Sequence, residues 1–237
     1  MRKLLLHLLL AVIASVTVIS SFTSCLSGDT SENTYTTYDY FTITGNATQG
    51  YTLYSDNNTI IIPDLQSITT PLGADGFGSH HRAMLSFSYK QNQISADGNQ
   101  LNGATLTGYT YFIESDPLTL AEADSLGVTS ADSIVSLTDL GEPWVIRGYF
   151  NVSVLGYYGS QIVPSLRLVY DPATIQENTI AVSLYYNPRA TTLSYSGTLY
   201  YAYPFSQLAA LVPGNDVINV IVQTPGHEDQ TIKAARN

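Results

Sequence analysis

The chain has 237 residues, a formal net charge of −10 and only 12% charged side chains, against about 25% in an ordinary soluble protein. Hydrophobic residues reach 44%, including 18 tyrosines, and mean hydropathy is +0.06; that is enough apolar material for a core and excludes global disorder. A single cysteine excludes a disulfide scaffold and any multi-thiolate zinc site, and the acidic excess argues against a phosphate-backbone partner, so no nucleic acid is expected.

The N-terminus reads as an export signal. Met1-Arg2-Lys3 is cationic, Leu4 to Ala14 is apolar apart from His7, and small residues follow up to Ser24. These are the three parts of a secretory leader. A membrane-spanning helix would need about 20 predominantly apolar residues, and here Ser15, Thr17, Ser20 and Ser21 interrupt the run. Phe22-Thr23-Ser24-Cys25 resembles a bacterial lipobox, with Phe22 in place of the usual leucine. Cys25 is therefore the expected lipidation site, its thiolate the nucleophile that takes the diacylglyceryl group. Each buried methylene adds about 0.8 kcal/mol of membrane affinity, so several acyl chains anchor without a spanning helix. Removal of residues 1–24 leaves 213 residues, with seven basic against 19 acidic ones and a net charge of −12. The expected location is the outer membrane, periplasmic or surface-facing; Asp29 and Glu32 are too scattered to choose the leaflet.

Residues 25–37 are polar and read as a tether. Residues 38–116 carry short alternating runs at 38–43, 51–54, 59–62, 83–90 and 104–114, with turn chemistry at Ser55-Asp56-Asn57-Asn58 and Asp97-Gly98-Asn99. Five strands in this length predict a small Greek-key barrel of the OB type, which leaves fewer edges than a flat meander. Residues 117–138 predict a joint, with one helical turn at 118–126. Residues 139–237 carry six further runs, at 144–155, 162–170, 180–186, 192–203, 217–222 and 231–233, which predict an antiparallel β-sandwich. Phe205, Leu208, Leu211 and Val212 have helical spacing and predict a short helix over 204–212 that caps an open end of the sheets. The fold class is all-β.

Several segments together resemble the NigD-like lipoproteins of anaerobic Gram-negative bacteria. They are Gly50-Tyr-Thr-Leu-Tyr-Ser-Asp-Asn-Asn-Thr-Ile60, His81-Arg82-Ala83-Met84-Leu85, Asp132-Ser133-Ile134 and Trp144-Val-Ile-Arg-Gly-Tyr-Phe-Asn-Val152. Residues 159–168 depart from the family's usual His-bearing loop. The resemblance implies a barrel followed by a sandwich in a lipoprotein, and no established enzymatic activity. A fold does not by itself give a function.

Candidate chemistry is sparse. His80-His81 are neighbours, and on a strand neighbours face opposite sides, so no shared metal is expected. His227-Glu228-Asp229 follows a Pro225-Gly226 turn and reads as solvated. Asp97 to Gly103 lacks an oxygen ligand at Leu101 and has its glycine one place late for a calcium loop. Gly76-Phe77-Gly78 has no helix behind it to bind phosphate. No Gly-x-Ser-x-Gly elbow or His-Glu-x-x-His helix occurs. Catalytic residues, cofactors and metals are accordingly expected to be none.

The tyrosine doublets Tyr157-Tyr158, Tyr185-Tyr186 and Tyr200-Tyr201 are the candidate binding residues. Each places one ring inward and one outward, and outward rings either stack on a glycan, anchor a protein partner or pack against the barrel. Asp124-Ser125-Leu126 and Asp132-Ser133-Ile134 resemble an O-glycosylation acceptor, with Ser125 and Ser133 as the hydroxyls. The expected function is a non-enzymatic binding or accessory lipoprotein with a protein or glycan ligand. Alternatives are a fimbria-like surface subunit, for which 234–237 leave little donor strand, and an extracytoplasmic hydrolase.

Overall fold

The structure is a computed structural model that describes residues 33–128, 137–158, 164–187, 195–214, 216–224 and 228–236. The segment expected to be an export leader, Cys25, Ser133 and His227 lie outside the described residues, as do the side chains of Tyr157 and Tyr158.

Strands β1 (Thr34–Asn46), β2 (Gly50–Ser55), β3 (Ile60–Pro63), β4 (Arg82–Lys90) and β5 (Gln100–Tyr111) close into a barrel in the order β1-β2-β3-β5-β4. The β3–β5 pair is parallel and the other barrel pairs are antiparallel, which gives the OB-type architecture. Period-two alternation explains the closure. Phe41 and Ile43 of β1, Leu53 of β2 and Ala83, Leu85 and Phe87 of β4 turn inward and are buried. β1 starts at Thr34, inside the segment expected to be tether, because its first residues already pair with β4 as far as Thr34 with Lys90.

A helix, α1 (Leu65–Leu72), joins β3 to β4 and has no counterpart among the sequence expectations. Asp64 caps it by accepting from Ser67 N at 3.0 Å, and Ile68 is its buried residue. With Pro71 near its end the apolar pattern is too short to announce a helix, and the barrel core supplies the missing support.

β5 leaves the barrel through buried Phe112, and β6 (Ile113–Glu114) immediately joins the second half. β7 (Leu118–Thr119) and α2 (Leu120–Ser125) follow, the helix closed by a Thr119–Glu122 capping box. The remaining strands are β8 (Leu137–Leu140), β9 (Trp144–Ile146), β10 (Tyr149–Tyr158), β11 (Ser165–Tyr170), β12 (Thr179–Asn187), β13 (Tyr195–Pro204), β14 (Val217–Gln223) and β15 (Gln230–Ala235). One sheet runs β6-β13-β10-β8 with β9 also on β10; the other runs β15-β14-β12-β11-β7. Phe150, Val152 and Val154 of the first share one core with Leu168, Val182 and Val220 of the second. The two sheets therefore form a sandwich, and burying each such side chain contributes roughly 1.5–3 kcal/mol.

Two details differ from expectation. The sandwich is mixed, not purely antiparallel: β12–β14, β11–β7 and β13–β6 are parallel pairs. Residues in the expected joint are also partly built in, since β7 extends one sheet and β8 begins within the joint on the other; β6, from the end of the segment expected to be barrel, joins the same sheet as β8. Helix α3 (Phe205–Ala209) buries Phe205, Leu208 and Ala209 in the sandwich core.

Candidate functional site

The two doublets whose side chains are described obey the strand alternation. Tyr186 and Tyr201 are the inward members, at 1% and 0% exposure, so neither reaches a ligand. The Tyr201 hydroxyl donates to Pro164 O at 3.1 Å. Tyr200 faces the barrel, its ring stacked on Phe112 at 5.3 Å and tilted against Tyr40 at 5.6 Å, which is packing between the two halves. Tyr185 is half-buried in a shallow cleft with Leu120, Tyr170 and Gln223. Ser125 is exposed at the end of α2 and donates to Glu122 O at 2.8 Å.

The histidines part company. His80 stacks on Tyr111 with centroids 3.8 Å apart, whereas His81 Nδ1 lies 3.1 Å from Glu114 Oε2. Asp97 accepts from Ser95 Oγ and Asn99 N within its own turn, and the Ser95 bond above all holds its carboxyl below the usual range. Among the described residues no three of His, Cys, Asp and Glu gather as a metal-holding group.

The densest polar cluster joins barrel to sandwich. Arg82 is fully buried, and its Nη1 and Nη2 donate to the two oxygens of Asp56 at 2.8 Å each. Its Nε donates to Asn151 Oδ1 at 3.0 Å and Nη1 also to Thr42 Oγ1 at 3.0 Å. Trp144 Nε1 donates to Asp56 Oδ2 at 2.9 Å. From the β9–β10 turn, Arg147 donates to Ser55 O and lies over the Tyr54 ring at 5.3 Å. A largely buried bidentate guanidinium–carboxylate pair is strong only when its remaining donors find partners, and here Nε and Nη1 find them in Asn151 and Thr42. These groups hold the halves together.

Beside this joint lies a different arrangement. Because Phe41 and Ile43 take the inward parity of β1, Tyr38 and Tyr40 project from the outer face. Their cross-strand partners are Ser86 and Met84 of β4, which pair in turn with Gly108 and Thr110 of β5. Tyr38, Asp39, Tyr40, Asn57 and Met84 line a cleft of about 230 Å³. Tyr38 is 76% exposed. Asp39 is fixed: Oδ1 accepts from Tyr40 N at 2.8 Å, and Oδ2 accepts from Ser55 Oγ and from Asn57 N and Nδ2 at 3.3 and 3.0 Å. Tyr40 is held between Trp144 at 5.1 Å and Tyr200. Burial, then its hydrogen bond with Tyr200, pushes its hydroxyl up to about 12. The cleft thus has rigid walls and one uncovered ring.

Sequence reasoning favoured doublets and passed over this site. The usable signal was Tyr-Asp-Tyr at 38–40 followed by Phe41 and Ile43: once those two are inward, both tyrosines share the outer face.

No family model matches the chain, and no curated protein does. Solved structures are similar in fold. A NigD-like immunity protein from Bacteroides caccae superposes with a TM-score of 0.57 at 16% identity, over 84% of this chain and 91% of that one. A protein of unknown function (DUF1344) from Bacteroides vulgatus gives 0.55 at 16%, over 86% and 92%. An uncharacterized protein from Parabacteroides merdae gives 0.51 at 9%, over 84% and 98%. None of the three is described as an enzyme. At these identities the likeness establishes the architecture: this chain has the barrel-and-sandwich fold of a NigD-like immunity protein.

Proposed function

We propose that the chain is a lipoprotein of the outer membrane, anchored through acyl chains on Cys25, and that it works as a non-enzymatic binding module through the Tyr38–Tyr40 cleft. The anchor rests on the leader and the small residues before Cys25. Among the described residues no helix is long and apolar enough to cross a membrane. One observation carries the binding role: a tyrosine ring 76% exposed, at the edge of a cleft whose carboxylate and second tyrosine are already locked in place. An uncovered aromatic on a preorganised surface is the usual anchor of recognition.

The anchor is tested by Cys25→Ala, which is expected to move the protein from the membrane to the soluble fraction; continued sedimentation with membranes would refute lipidation. The binding role is tested with a photo-crosslinking amino acid in place of Tyr38, and separately in place of Leu126, itself 67% exposed. In whole envelopes the position-38 variant is expected to give discrete adducts that the position-126 variant lacks. Equal labelling at both positions would sink the cleft as a site. The fold shared with an immunity protein favours a second reading, in which the occupant is a protein; the mass of the adduct separates it from a smaller ligand.

A further inference from the structure

On the reading that the Tyr38–Tyr40 cleft is a binding site, its chemistry selects an occupant. Tyr38 stands at the end of a cross-strand row whose other members are Ser86 and Gly108. A Cβ placed on Gly108 would meet only Ser86 Cβ at 3.6 Å and Ser86 Oγ at 3.7 Å, ordinary contact distances. That missing side chain therefore lies on the same outer face as Ser86. The ladder shifts register between Ser86 and Phe87, yet Gly108 has no left-handed φ, so the bulge does not require glycine there. Glycine inside a strand weakens it and marks a place where another group must come close. Here its effect is to keep the sheet surface next to the cleft low, in the row that Tyr38 ends.

The rest of the cleft agrees. The lining offers an amide (Asn57) and, in Asp39, a rigid acceptor, and Ser86 adds a hydroxyl next to the cleft as the cross-strand partner of Tyr38. An apolar face beside hydroxyl-matching polar groups suits a molecule with one C–H-rich face and an equatorial ring of hydroxyls. No lysine or arginine lines the cleft, and Asp39 with the acidic chain disfavours an anion. At about 230 Å³ the space falls below the roughly 300–1,000 Å³ of sites for drug-sized ligands. That size fits a single ring.

We propose that this cleft binds a neutral pyranose sugar, laid on Tyr38 with its hydroxyls on Asp39 and Asn57 and its outer edge over the adjoining Ser86–Gly108 row. Tyr40 closes the far end as a positioning residue held by Trp144 and Tyr200.

The full chain, kept in a polyoxyethylene detergent so that no sugar headgroup competes, is titrated by saturation-transfer NMR. The probes are the methyl glycosides of glucose, galactose and mannose, N-acetylglucosamine, and galacturonate as the acidic control. At least one neutral sugar is expected to saturate, with galacturonate at least about tenfold weaker. Tyr38→Ala and Gly108→Val are each expected to weaken that sugar by about tenfold or more, and Tyr38→Phe to restore most of it. Gly108→Val is expected to melt no lower than the parent, since valine suits a strand better; this separates a blocked row from a damaged fold. Saturation by none of the neutral sugars up to roughly 50 mM, or binding that survives both substitutions, would overturn the proposal. Discrete adducts at position 38 without sugar binding would reject the saccharide and leave the binding role standing. Loss of both would reject the site altogether.

Discussion

Two neighbouring patches, the Arg82 joint and the Tyr38 cleft, use polar and aromatic groups in opposite ways. At the joint every named donor is spent on a partner within the chain, and the guanidinium of Arg82 is out of water altogether. At the cleft the carboxylate of Asp39 is equally fixed, but it fixes a surface that faces solvent and leaves Tyr38 uncovered. A buried charge with all its donors met is costly to disturb and contributes architecture. An exposed ring is cheap to remove and contributes nothing to folding. Stability and binding should therefore separate between these patches although Tyr40 touches both.

The strongest way to break the contrast is at Arg82. Arg82→Ala leaves Asp56, 11% exposed, without its cation and a cavity where the guanidinium lay, and is expected to lower the unfolding free energy by about 3 kcal/mol, measured by urea denaturation. Tyr38→Ala is expected to stay within about 0.5 kcal/mol of the parent; a comparable loss there would make the exposed ring a packing residue and erase the distinction.

A smaller effect comes from alkali. Tyr40 is raised to about 12, by burial first and its bond to Tyr200 second, above an unfolded value of about 10. Burial pushes Tyr201 and Tyr203 further in the same direction. A raised folded-state value means the folded chain binds the proton more tightly, so the stabilisation is complete below about pH 10 and is lost as pH climbs towards 12. A rise in tyrosinate absorbance is expected to coincide with loss of near-ultraviolet dichroism in that window. Tyr40→Phe, which cannot ionise there, should move the transition slightly upward, and a transition finished below pH 10 would contradict the assignment.

The sequence segments that resemble the NigD-like lipoproteins acquire a physical meaning at the joint. Asp56 comes from the 50–60 hairpin, Arg82 from 81–85, and Trp144, Arg147 and Asn151 from 144–152; three separate stretches supply one interface. What they encode is how barrel and sandwich are held. This is why a resemblance built on them gave the architecture and little about an occupant. The tyrosine doublets show a related limit: period two says that one ring of each pair leaves the core, but not whether another surface waits to cover it. Tyr200 leaves the sandwich and meets Phe112 and Tyr40. Helix α1 was missed because eight residues containing Pro71 carry too little local signal.

Local alternation and turn chemistry were enough to specify the five barrel strands, the longer sandwich strands, the all-β class and the order of barrel before sandwich, because inward parity is written residue by residue. The composition and leader were enough to raise the expectation of a lipid anchor at Cys25. Tertiary structure alone decided which polar residues are consumed and which are left over. Arg82 and Asp56 are 26 residues apart, and Tyr38, Ser86 and Gly108 share a row across three strands. Such neighbours are made by barrel closure and sheet register, which are long-range properties no short window of sequence contains.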